Sequence, residues 1–126
     1  MTLEYEIGFS FLSADREIVY DVLGEEFYVG TVNLNGEELI NEFLYKLECA
    51  LEFPEFYKEN INLDSFDEGV RDLSWITEKN IFLVINNAMK YWLGNYFLMG
   101  GIMEILLFAR KELGNFGKNL IIIFYG

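Results

Sequence analysis

The chain has 126 residues, 52% of them hydrophobic and 17% aromatic, enough to bury one core and too few for two ordinary domains, so a single domain over residues 1–126 is expected. Its formal charge is −12, with eighteen acids against four bases in residues 1–77 and three against five in residues 78–126. A field of that sign repels phosphate backbones, which argues against a nucleic-acid partner, and attracts cationic proteins.

At the N-terminus, Met1–Ser13 contains Glu4 and Glu6 and no base, the wrong pattern for a signal peptide. Leu3–Phe11 and Glu26–Leu34 are rich in Tyr, Val, Phe and Ile and are predicted to be extended, with Ser13, Ala14 and Asp15 as a turn and Glu17–Val22 as a further strand. Residues 1–34 are therefore expected to form an N-terminal β-hairpin or meander that feeds the first strand of the main sheet.

After Asn35 and Gly36, the spacing of Leu39, Ile40, Phe43, Leu44, Leu47 and Leu51 predicts an amphipathic helix, with Glu37, Glu38, Glu42, Lys46 and Glu48 mostly outside the apolar stripe. Phe53 and Pro54 stop it, because proline lacks a donor and drives its predecessor out of helical angles. A loop over Glu55–Leu63 is followed by a second helix with Phe66, Val70 and Leu73 on one side and Asn62 or Asp64 as its N-cap.

The runs Ile81–Ile85 and Leu120–Phe124 are continuously apolar, as strands of a parallel sheet covered on both faces require. Between them, Tyr91–Ala109 carries only Glu104 as a formal charge and has the composition of a membrane span. Gly94, Asn95, Gly100 and Gly101 break it, so a loop followed by a buried helix is predicted, with no membrane association. That helix shows a stripe of Ile102, Ile105, Leu106, Ala109 and Leu113 and is expected to end in a left-handed cap at Gly114. The order of elements describes an α/β fold, a short parallel β-sheet flanked by helices.

Much chemistry is missing. There is no histidine and a single cysteine, which removes the usual general base, the histidine-containing hydrolase triads and any ordinary zinc site. No glycine-rich phosphate loop is present. Neither catalysis, a metal nor a cofactor is expected. Cys49, in an apolar-periodic segment, is expected to be a buried thiol, and its being alone fits a cytoplasmic location. The remaining candidates are carboxylates: Asp64, Glu68 and Asp72 fall at i, i+4 and i+8 of the second helix. They form a solvated acidic face, a docking surface for a basic partner, or, at Asp64 and Glu68, a carboxylate pair of the glycosidase kind.

From Asn35 to Gly126 the chain resembles the barstar family of ribonuclease inhibitors. Asn35, Gly36 and Glu37 open the first helix, and Pro54, Glu55, Phe56 and Tyr57 match the family's Pro, acid, aromatic, aromatic step. Leu63, Asp64, Ser65, Phe66, Asp67 and Glu68 follow the pattern of its inhibitory helix, and Asp72, Leu73, Ser74 and Trp75 continue it. The resemblance implies a barstar-like fold and an inhibitor or immunity protein, monomeric in a 1:1 complex. Its acidic loop and helix would occlude the phosphate-binding active site of a basic ribonuclease or toxin nuclease domain. By position it implies a partner-binding set of Tyr57, Asn60, Asn62, Asp64, Asp67, Glu68 and Asp72, with Tyr57 as an interface aromatic and Asn60 or Asn62 as a loop asparagine. Gly69 stands where the family buries a side chain, and Arg110 where an accessory acid is expected. A basic partner other than a ribonuclease, such as a toxin acting on DNA, is the competing reading.

Overall fold

The computed structural model describes residues 9–12 and 27–126. Four strands, β1 (Phe9–Leu12), β2 (Phe27–Asn33), β3 (Asn80–Asn86) and β4 (Asn119–Tyr125), form one sheet in the order β1-β4-β3-β2, and every neighbouring pair is parallel. The helices are α1 (Ile40–Ala50), α2 (Glu55–Lys58), α3 (Leu63–Asp72), α4 (Ala88–Gly94) and α5 (Tyr96–Gly114).

The central strands β3 and β4 are the two continuous apolar runs, and burial on both faces is why they do not alternate. Ile81, Leu83, Ile85, Leu120, Ile122 and Phe124 face the main core beneath the helices. Phe82, Val84 and Ile123 form a smaller buried cluster on the other face. The edge strand β2 alternates instead, with Val32 buried between exposed Thr31 and Asn33.

The expected N-terminal hairpin or meander falls mostly on residues outside the described ones, including Glu17–Val22. Its described part, β1, runs parallel to β4 with Phe9 opposite Ile122, on the edge opposite β2. It is therefore not a hairpin arm of β2.

Three further expectations are corrected. Helix α1 buries Phe43, Leu44, Leu47 and Glu48, and Cys49 is exposed. With 100° per residue, the stripe through Leu44, Leu47 and Leu51 takes in position 48 and turns position 49 to solvent beside Tyr45. The break in the apolar segment lies only at Asn95, where α4 and α5 meet at 120°; Gly100 and Gly101 continue inside α5. No single helix among the described residues is long and apolar enough to cross a membrane. Finally, the left-handed residue after α5 is Gly117 (φ 79°), not Gly114. The turn is closed by Gly117 N on Gly114 O (3.1 Å) and Lys118 N on Leu113 O (3.0 Å).

Side chains finish what the helix backbones leave open. The Tyr28 hydroxyl donates to Ala50 O and the Trp75 indole to Leu51 O (2.8 Å), satisfying the C-terminal carbonyls of α1. At the start of α1, the buried Glu38 carboxylate accepts from Asn35 N (2.7 Å) and Gly36 N (3.0 Å) and pairs with Lys46 at 2.6 Å. Burial alone would raise its pKa, but Lys46 and the backbone donors outweigh that and hold it below the ordinary 4.5.

Candidate protein-binding site

Helix α3 begins at Asn62, whose side chain accepts from Ser65 N at 2.8 Å, leaving Asp64 free of the capping role. It ends at Leu73 in the left-handed region (φ 43°), where the Lys118 ammonium donates to Leu73 O (2.7 Å) and Ile76 O. Phe66, Gly69, Val70 and Leu73 face the core. That fixes the rotation of the helix and turns Asp64, Glu68 and Asp72 outward, all three exposed.

Successive members of this stripe are one helical turn apart, about 5–6 Å between Cβ atoms. None of the three has an ion-pair partner among the described residues. Asp67 differs: it is half-buried and paired with Arg71 at 3.3 Å, and the Arg71 guanidinium lies 5.5 Å over the Phe108 ring of α5. The charge of Asp67 is already compensated, so the free negative field of α3 comes from its other three acids.

The two asparagines also separate. Asn62 is held in the cap and donates to Asn60 O at 3.1 Å, whereas the Asn60 side chain is exposed with no partner among the described residues.

Tyr57 is 8% exposed and belongs to a ring cluster with Phe53 (5.4 Å between centroids) and Trp75 (5.9 Å). Burial raises its phenol above the ordinary 10.0, and Glu68 and Asp72 add to the rise. Phe56, its neighbour on α2, is 65% exposed with its ring 4.2 Å from that of Tyr57. The aromatic side chain that this short helix presents to solvent is therefore Phe56, which sequence reasoning passed over.

Helix α5 packs along α3 and adds Glu112. A groove between the two helices is lined by Glu68, Arg71, Asp72, Glu112 and Phe116. The acid on this face of α5 is thus Glu112, while Arg110 lines a different cleft with Asn80 and Asn119. No spacing in the sequence signals this: the placement of Glu112 follows from α5 lying along α3, where Phe108 meets Arg71.

A core that holds a short helix rigidly beside a longer one, with uncompensated acids along their shared rim, is suited to meeting a cationic protein surface. The family model described as Barstar (barnase inhibitor) matches residues 27–124, from the first residue of β2 to the penultimate residue of β4. The chain belongs to the barstar family. The match begins before Asn35, so β2 is part of the family fold. Members of the barstar family are ribonuclease inhibitors rather than enzymes, and their partner is a protein. A comparison with curated protein sequences found no match.

Proposed function

We propose that this barstar-family chain is an immunity protein that neutralises a basic ribonuclease, or the ribonuclease domain of a toxin, by covering its phosphate-binding active site. In this reading it acts in the cytoplasm as a monomeric single domain, in a 1:1 complex. The observation that carries the reading is the strip of exposed, unpaired carboxylates Asp64, Glu68 and Asp72 on α3, continued by Glu112 on α5.

A ribonuclease must hold an RNA phosphate with cationic donors, and a carboxylate presented at the same place accepts the same charge-assisted hydrogen bonds. Asp64 and Glu68 fill that role, Asp72 and Glu112 extend the field, and Asn60 and Phe56 contribute a polar and an aromatic contact from the loop side. Asn62, Tyr57 and Asp67 support the site from within: the first caps α3, the second seats α2 on the core, and the third fixes Arg71. That a few such acids dominate affinity and steer association is a general lesson drawn from barnase and barstar themselves, the founding pair of this family.

RNA cleavage by a panel of small basic ribonucleases and toxin nuclease domains, with and without an equimolar amount of the purified chain, tests the proposal. Stoichiometric inhibition by the native chain, lost in the Asp64→Ala, Glu68→Ala double variant, is the expected result. Inhibition that survives in the double variant would remove the site. A panel with no inhibited enzyme, alongside capture of a basic DNA-cleaving toxin, would transfer the site to that partner.

A further inference from the structure

A cleft of about 510 Å³ opens where α5 ends and the amino ends of β3 and β4 emerge, a size within the range of small-molecule sites (roughly 300–1,000 Å³). Its walls include Arg110, Lys111 and Lys118 together with Asn80, Asn115 and Asn119, and no described lining residue is acidic. In a chain with 21 acids and 9 bases, a cleft lined by basic and carboxamide residues calls for a physical reason.

The ordinary reason is neutralisation of a helix C-terminus, and here that task is already done. Glu112 O receives Asn115 N (3.1 Å), Leu113 O receives Phe116 N (2.9 Å) and Lys118 N (3.0 Å), and Gly114 O receives Gly117 N (3.1 Å). Lys118 spends two of its three ammonium hydrogens on Leu73 O and Ile76 O, neither of which lines the cleft, so its charge is engaged at the end of α3. Lys111 is exposed and has no hydrogen bond or ion pair among the described residues. The Asn80 carboxamide oxygen is occupied by Asn119 Nδ2 at 3.0 Å, so its NH2 remains available as a donor. Among the described residues, nothing stands within 4 Å of a Cβ built on Gly114.

We propose that this cleft binds a phosphate-bearing anion, with Lys111 supplying charge and Asn80 and Asn115 supplying neutral donors. Several donors of mixed charge around one opening suit a phosphate, whose oxygens accept from all sides. Inorganic phosphate and the phosphate of a mononucleotide share this chemistry.

Two NMR titrations at constant ionic strength, one with inorganic phosphate and one with uridine monophosphate, test the proposal. Saturable shifts at the Asn80 and Asn115 carboxamides and the Lys118 amide are expected, with a dissociation constant of about 1 mM or tighter. Lys111→Ala and Asn115→Asp, both at exposed positions, should each weaken binding by about tenfold while leaving the remaining spectrum unchanged. Lys118 is kept native, because its hydrogen bonds hold the end of α3. Equal affinity for the two probes assigns the cleft to phosphate alone, and tighter uridine monophosphate adds a base contact; both support the site. Shifts that grow linearly with concentration, or that persist unchanged in both variants, would overturn it.

Discussion

A methyl group placed on Gly69 would overlap the edge of the Phe53 ring, meeting Cε2 and lying 2.9 Å from Cζ. Phe53 cannot retreat, because its ring is stacked on Phe66 (5.8 Å) and set edge-on against Trp75 (5.3 Å) and Tyr57 (5.4 Å). The glycine inside α3 thus makes room for a ring that comes from just beyond the end of α1. In an open helix, Gly→Ala would gain about 1 kcal/mol; overpacking a filled core costs typically 1–3 kcal/mol. Gly69→Ala is expected to lower the urea midpoint, and a raised midpoint would show that the ring yields.

Glu48 gives a pH dependence. Its side chain is fully buried, and neither carboxylate oxygen has a hydrogen-bond partner among the described residues. Burial pushes its pKa up to about 7, with Lys58 pulling the other way. The native state therefore keeps a proton that the unfolded chain releases near the ordinary 4.5, so stability falls as pH rises from about 4.5 to about 7 and then levels off. The loss is on the order of 3 kcal/mol. Glu48→Gln should abolish this decline and be more stable than the native chain at pH 8, as urea unfolding at a series of pH values would reveal. An unchanged slope in Glu48→Gln would assign the dependence to other groups.

Glu38 acts in the opposite sense and in a separate window. Its pKa is held below 4.5 by Lys46 and backbone donors, so its contribution is present above that value and disappears as pH falls through the native pKa. Glu38→Gln should therefore be less stable than the native chain at pH 6, and the difference should narrow on acidification below about pH 4. Thermal unfolding of the two proteins at pH 6 and pH 3 measures it, and a gap that stays constant would contradict the ion-pair account.

What the sequence reveals and what it hides have identifiable causes. Strands β3 and β4 are legible because burial on both faces leaves them no polar positions, and α3 is legible because Phe66, Val70 and Leu73 repeat with its period and Asn62 has the chemistry of a cap. Local pattern could not decide which of Phe56 and Tyr57 faces inward. They are adjacent in a four-residue helix, and the choice is made by packing against Phe53, just before it, and Trp75, which comes from beyond α3. The burial of Glu48 in place of Cys49 breaks the rule that links polarity with exposure. The approach of Glu112 to Glu68 and Asp72 depends on how α5 lies along α3, which no local spacing reports.

The two aromatic residues of α2 should therefore separate function from stability. Phe56→Ala removes an exposed ring and should leave the urea midpoint almost unchanged while weakening binding to the inhibited ribonuclease by tenfold or more, about 1.4 kcal/mol. Tyr57→Ala empties a position in the ring cluster and should cost about 3–5 kcal/mol of stability. Calorimetric titration paired with urea unfolding reads both effects. Full affinity in a folded Phe56→Ala protein would take that ring out of the interface.

Asn62 and Asn60 make a second pair of this kind. Asn62→Ala removes the acceptor for Ser65 N, and loss of an N-cap costs about 1 kcal/mol; Asn62→Asp keeps an oxygen in place and should retain most of that stability. Asn60→Ala removes only an exposed side chain and should be neutral for folding while reducing affinity. If Asn62→Asp unfolded as readily as Asn62→Ala, the cap would not be what holds the start of α3, and the orientation of Asp64 would have to rest on the Phe66 and Val70 packing alone.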